Sequence, residues 1–232
     1  MTVPAKDFGH DLDAMLKAAV QHKAKMVFIA NPNNPTGTYL TAEALQHFMQ
    51  ALPVNILVVL DEAYNEYLPP AQRYDSVSWL KKHSNLIISR TFSKAYGLAG
   101  LRVGYAIAHE QIIDMMNRVR QPFNVNSIAQ AAAVAALHDM DFVKQTYELN
   151  QRGMRQIIAG LTKLGLSYIP SYGNFICFRI GGATAMYRLL LELGVIVRPV
   201  ANYDMADYLR VSSGLENENE KFLTALQQAS RG

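Results

Sequence analysis

Met26-Val-Phe-Ile-Ala-Asn-Pro-Asn-Asn-Pro-Thr-Gly37 is the stretch on which the fold turns. The unbroken apolar run Met26–Ala30 has the length and composition of a buried strand. Residues 31–37 are too rich in Pro, Asn and Gly to continue any regular element, so they read as a shaped loop. Upstream, Leu12, Met15, Leu16 and Ala19 recur at the spacing of an amphipathic helix. Downstream, Thr41 is placed to cap a helix whose Leu45, Phe48, Met49 and Leu52 share one face.

The alternation continues. Residues 56–60, 86–89 and 103–107 are largely apolar rather than alternating, the pattern of strands covered on both faces. Helices between them imply right-handed crossovers and an open, mostly parallel sheet whose ligands gather at the carboxyl ends of its strands. The loops after Ala30, Leu60 and Ser89 are expected to converge there. From 126 to 165 the pattern is helical: an alanine-rich segment at 129–137, a break at 139–141, then a long helix with Met154, Ile157, Ile158 and Leu161 on one face and Gly165 as its cap. Beyond it, strands are expected near 174–180, 195–200 and 208–212, with helices at 183–193 and 217–229. The expected architecture is α/β: a three-layer, mostly parallel sheet over residues 1–140, then a long connecting helix and a smaller C-terminal α/β domain over residues 141–232.

Composition narrows the function classes. Half of the 232 residues are hydrophobic and 18% are charged, which suits a packed core rather than a disordered chain. The net charge of +3 comes from scattered residues, and one of the denser basic spots, Asn117-Arg-Val-Arg120, reads as a solvated helix end. A nucleic-acid partner is not expected. No stretch approaches the roughly 20 apolar residues that cross a bilayer, and Met1-Thr-Val-Pro-Ala-Lys-Asp7 has no apolar signal core. A soluble protein of a reducing cytoplasm is expected, with the one cysteine, Cys177, as core filler. The six histidines, His10, His22, His47, His83, His109 and His138, are dispersed, form no metal-ligand motif and read as surface or helix-end residues. There is no G-x-S-x-G, and Gly97, Gly100 and Gly104 lack the dinucleotide-binding spacing.

The chemistry-bearing residues follow the strands. Asp61 comes directly after the run 56–60, so its carboxylate is expected at the sheet's carboxyl edge. Lys94 lies just past the run 86–89, in Ser89-Arg-Thr-Phe-Ser-Lys94, and Arg102 follows. A pyridoxal-type aldehyde cofactor needs a lysine to anchor it, an acid facing its ring nitrogen, and donors for its phosphate. Thr91, Ser93 and Arg102 are donors of the kind a phosphate dianion takes. Each residue has a plainer reading when alone: a turn or capping aspartate, a solvated lysine.

Taken in order, Asn33-Asn34-Pro35-Thr36-Gly37, Asp61-Glu-Ala-Tyr64, and Ser93-Lys94 with Arg102 resemble the fold-type I, class I/II aminotransferases. The resemblance implies the large domain of that fold, a pyridoxal 5'-phosphate cofactor anchored on Lys94, Asp61 on its ring nitrogen and Asn34 and Tyr64 on its ring oxygen. Thr91, Ser93 and Arg102 would take the phosphate. Within the family, Lys94-Ala-Tyr-Gly-Leu-Ala-Gly-Leu-Arg102, Pro122-Phe-Asn-Val-Asn126 and Gly194-Val-Ile-Val-Arg-Pro199 are similar to the histidinol-phosphate aminotransferases. That likeness implies histidinol phosphate as amino donor and 2-oxoglutarate as 2-oxo acid acceptor. Arg210, in Tyr208-Leu-Arg-Val-Ser-Ser-Gly214, would hold the acidic group of each, assisted by Asn174; a structural salt bridge and a strand-edge turn are their plainer readings.

The resemblance also implies a homodimer. It covers about the last two-thirds of the family's usual length, so the sequence reads as lacking an N-terminal third and an independent cofactor site is expected to be weakened. An aromatic amino-acid aminotransferase, a pyridoxal-dependent decarboxylase of a phosphorylated amino acid and a non-catalytic fragment stay open as alternatives.

Overall fold

The computed structural model describes residues 1–230, which form two compact units: Met1–Asn33 with Tyr39–Lys144, and Asn34–Thr38 with the chain from Gln145 onward.

In the first unit, Asp11 caps α1 (Leu12–Gln21) by accepting the Ala14 N–H at 3.0 Å. β1 (Met26–Ala30) follows, and Thr41 then caps α2 (Ala42–Ala51), accepting the Ala44 N–H at 3.3 Å. β2 (Leu57–Asp61) and β3 (Leu86–Thr91) lie parallel beside β1, and β4 (Gly104–Ala108) adds an antiparallel edge in the order β1-β2-β3-β4. The class is the expected α/β sheet, but the last strand reverses. Residues 92–103 hold only a short 3-10 turn, Ala99–Leu101, and the chain returns antiparallel alongside β3. The helix expected between β2 and β3 is absent as well, replaced by 3-10 turns, although those strands stay parallel.

Burial corrects a second expectation. Val27, Ile29, Val58, Leu60, Leu86 and Ile88 form the core with Leu45, Phe48 and Met49 of α2 and Ala19 of α1. Strand side chains alternate between faces, and both helices cover this one. On the other face of β1, Met26 and Phe28 are exposed, Phe28 by 67%. Only Leu86, Ile87 and Ile88 of β3 form a continuous buried run in this sheet. α3 (Glu110–Val119) and α4 (Ser127–His138) follow, the latter capped by Asn126, whose Oδ1 accepts the Ala129 N–H at 2.9 Å. Ala129 and Ala133 of α4 pack against Phe92 and Val103, which bracket the loop between β3 and β4. His10 departs from the surface reading: it is half-buried, with Nε2 3.1 Å from the Ala30 carbonyl, and burial holds its imidazole below the ordinary value.

α5 (Met140–Lys163) begins in the first unit and runs on in the second. Gly165, at φ +70°, ends it, and the Leu166 N–H donates back to the Leu161 carbonyl at 3.0 Å. β5 (Phe175–Arg179), α6 (Ala183–Glu192), β6 (Arg198–Pro199), β7 (Tyr208–Ser212) and α7 (Glu216–Ala229) follow. The three strands form an antiparallel sheet in the order β5-β7-β6. Its core includes Ile157, Leu161, Ile176, Phe178, Leu190, Leu209, Phe222 and Leu226. The strand expected over 195–200 shrinks to two residues. Pro199 has no N–H to carry the ladder further, which suits an edge position.

Asn34–Thr38 is built into this second unit. The Gly37 carbonyl accepts the Tyr172 N–H at 2.8 Å, and the Pro35 carbonyl accepts the Cys177 thiol at 3.0 Å. Gly37 has φ +79°, and the Ser171 side chain fills the space a Cβ would need, so this position requires glycine twice over. Burial pushes the Cys177 thiol up to about 12, against the pull of Arg210, which keeps it a neutral core group. No described helix is long and apolar enough to cross a membrane.

Candidate active site

In the first unit, six of the residues singled out by sequence lie at or just beyond the carboxyl ends of β2 and β3. Asp61 is the last residue of β2, registered against Ser89 of β3. Its Oδ1 accepts the Ala63 N–H at 3.1 Å, which fixes the carboxylate at the turn while the residue stays exposed. The turn reading of this aspartate thus holds for one oxygen. Tyr64, three residues on, is buried at 6% exposure and opens a 3-10 turn, Asn65–Tyr67.

β3 runs two residues further than its apolar stretch, so Thr91 ends the strand. Phe92 is then buried in the cluster with Val103, and Ala95 is buried as well. Between these anchors the backbone closes on itself: Leu98 N–H donates to the Phe92 carbonyl and Gly97 N–H to the Lys94 carbonyl, each at 2.9 Å. Gly104 sits opposite Thr91, where a Cβ would lie 2.7 Å from the Arg90 carbonyl. The loop is therefore held at both ends and its polar side chains have little freedom to wander.

Those side chains are Ser93, Lys94 and Arg102. The Thr91 hydroxyl accepts the Ser93 N–H at 3.0 Å, and the Ser93 hydroxyl accepts an N–H of Arg102 Nη1 at 3.3 Å. Arg102 Nη1 also donates to the Ala99 carbonyl at 2.9 Å. Arg102 takes a left-handed conformation, φ 53° and ψ 49°, which is uncommon outside glycine and recurs at functional sites. The Lys94 Nζ stands 5.3 Å from the centroid of the Tyr64 ring, within cation–π range. One loop and one strand end thus present an amine, a phenol, an exposed carboxylate, two hydroxyls and an exposed guanidinium.

Sequence reasoning missed the pair behind them. Glu62 is fully buried, and its Oε2 accepts from Arg90 Nη2 at 2.7 Å and Nε at 2.9 Å. Burial pushes the Glu62 carboxyl up, while the Ser76 hydroxyl and the Arg90 charge pull it down. The available signal was position: each residue adjoins a candidate at a strand end, Asp61 or Thr91.

The second unit holds the other three candidates. Arg210, on β7, lays its guanidinium 4.9 Å from the Phe175 ring centroid, and its Nη1 donates to the Asn34 side-chain carbonyl. It takes part in none of the ion pairs found among the described residues, so the salt-bridge reading gives way to an amide partner and an aromatic platform. Asn174 directly precedes Phe175, and its backbone carbonyl accepts the Ser213 N–H at 2.8 Å. Arg198 of β6 is registered directly against Arg210, a second cation that sequence reasoning passed over. Like charges opposed across a ladder repel unless an anion joins them. Among the described residues, no group of three or more His, Cys, Asp or Glu is placed to hold a metal.

A mixed, mostly parallel sheet that gathers a lysine, an acid and oxyanion donors at the carboxyl ends of its parallel strands belongs to a recognisable class, and the comparisons agree: the chain is a member of the aminotransferase class I and II family, matched over residues 1–226. It is 61% identical to a histidinol-phosphate aminotransferase of Methylobacillus flagellatus over 98% of this chain and 61% of that protein. It is 59% identical to histidinol-phosphate aminotransferase 2 of Nitrosospira multiformis, over 97% of this chain and 58% of that protein. Among solved structures it resembles the histidinol-phosphate aminotransferase of Sinorhizobium meliloti in complex with pyridoxal-5'-phosphate. That match has a TM-score of 0.93 and 35% identity, over 100% of this chain and 64% of the other. The chain spans about three-fifths of the length of the curated relatives it matches.

Proposed function

We propose that this chain carries the site of a pyridoxal phosphate-dependent transamination. Its reaction is histidinol phosphate plus 2-oxoglutarate giving imidazole acetol phosphate and glutamate, a step of histidine biosynthesis. The observation that carries the reading is the Lys94 amine poised over Tyr64 on a loop that also presents Ser93 and the strained, exposed Arg102. The donor set fits the group. An amine suits an aldehyde, a carboxylate a ring nitrogen, a phenol a ring oxygen, and hydroxyls with a guanidinium a phosphate dianion.

The bound cofactor supplies an electron-withdrawing ring that takes up the electrons of the substrate's amine-bearing carbon. Lys94 would be the residue that holds it through its amine, and its Nζ, when free, would carry the proton at the substrate carbon. Asp61 would keep a proton on the ring nitrogen, Tyr64 and Asn34 would donate to the ring oxygen, and Thr91, Ser93 and Arg102 would hold the phosphate. Arg210 receives the phosphate of one substrate and the carboxylate of the other, with Asn174 assisting and Arg198 adding a second cation to the same anion. We assign the first unit to the family's large cofactor-binding domain and the second to its small domain. We further propose a cytoplasmic homodimer.

Reduction with borohydride in the presence of pyridoxal phosphate, followed by digestion, is expected to place the label on Lys94. An unlabelled Lys94 overturns the anchor. Side-by-side rates on histidinol phosphate and phenylalanine test the substrate: preference for phenylalanine would make it an aromatic amino-acid aminotransferase, and release of carbon dioxide a decarboxylase.

A further inference from the structure

Glu62 and Arg90 take none of the roles above, yet they sit directly against the residues that do. Glu62 follows Asp61, and its N–H donates to the Ser89 carbonyl at 2.9 Å. Arg90 precedes Thr91 and closes on Glu62 Oε2 through two donors, at 2.7 and 2.9 Å. The pair therefore ties the turn after β2 to the end of β3, the two segments that carry Asp61 and Lys94. A carboxylate with no exposure survives as an ion only when paired, so Glu62 requires Arg90, whose own side chain is partly exposed. The titratable groups that feel the pair are Asp61, Glu66, Tyr74, Tyr96 and Tyr105.

We propose that the Glu62–Arg90 pair is a positioning element of the cofactor site. It clamps the Asp61 turn to the Lys94 loop, and by cancelling its own two charges it leaves Asp61 as the anion presented to the ring nitrogen. The inference rests on the reading that pyridoxal phosphate is held on Lys94. Its physical basis is separate: opposite charges close together in a poorly hydrated place cancel at a distance, whereas one alone acts on every protonation nearby.

The test uses the full-length protein loaded with pyridoxal phosphate, its visible absorbance titrated against pH and its cofactor Kd measured. Glu62→Gln leaves Arg90 an uncancelled cation, which disfavours protonation of neighbouring nitrogens; the absorbance midpoint is expected to fall by about one pH unit. In the double variant Glu62→Gln with Arg90→Gln, the midpoint is expected to return to the parent value. The Kd should stay raised about tenfold, because the clamp is gone. A folded Glu62→Gln with an unmoved midpoint overturns the charge role. Should that single variant fail to fold, a parent-like Kd in the double variant overturns the clamp. Absence of any Lys94-dependent absorbance in the unaltered protein overturns the cofactor reading itself, and the proposal with it.

Discussion

The two units assemble their chemistry in opposite ways. In the first, Asp61, Tyr64, Thr91, Ser93, Lys94 and Arg102 occupy two short segments that leave neighbouring parallel strands at the same edge, so strand pairing alone brings the segments together. In the second, Arg210 meets Asn34 across 176 residues of chain, and Asn34 arrives on a five-residue segment, Asn34–Thr38, that interrupts the first unit. The first arrangement follows from the pairing of two neighbouring parallel strands, while the second depends on one long-range closure. The first is therefore expected to tolerate repacking, and the second to be sensitive to small changes in the segment that makes the closure.

The largest effect expected belongs to the first unit. On the proposed reading, Lys94→Ala would remove both the covalent anchor and the proton carrier, and kcat of the full-length protein should fall by about 10⁴-fold or more, measured by glutamate formation. A fall of only a few-fold would break the assignment. Next is the second unit's Arg210→Ala, which on the proposed reading would take a charge-assisted anchor from both substrates. The expected loss in kcat/KM is about 10²-fold for histidinol phosphate and 2-oxoglutarate alike. If only one substrate suffers, Arg210 is not a shared anchor.

Gly37→Ala sharpens the comparison on stability. A left-handed backbone and the Ser171 side chain both oppose the added methyl, so urea unfolding is expected to show a loss of about 2 kcal/mol or more. A neutral result would mean that Asn34–Thr38 does not need its closure with the second unit. The smallest effect concerns His10 of the first unit. Its folded-state value is lowered, so the folded state binds fewer protons than the unfolded chain. The corresponding stability is present above the ordinary imidazole value and is lost as pH falls through it toward the folded value. His10→Gln should flatten the pH dependence of urea unfolding between about pH 7 and pH 5. An unchanged slope would mean that His10 does not contribute to it.

Legibility divided along the same line. The residues of the Lys94 loop could be read because their types and order are peculiar, and their strands showed as apolar runs. Glu62 could not be read as buried, because charged residues are by default exposed and its partner lies on another strand. Arg198 could not be read as Arg210's neighbour without the register of β6 against β7. The direction of β4 was equally hidden: an apolar run looks the same whichever way it pairs, and only its register against β3 decides. Exposure of Phe28 was missed because an unbroken apolar strand does not say which faces its neighbours cover.

Sequence by itself determined most of the long elements, their order and the family, since these depend on local periodicity, caps and the identity of residues at loop positions. Tertiary structure alone decided that Glu62 and Arg90 form a buried pair behind Asp61, that Asn34 belongs with Arg210, and that β4 runs backward. The reason is physical: a residue's own type biases its local backbone, but burial and pairing belong to contacts whose partners are chosen only when distant segments close on one another.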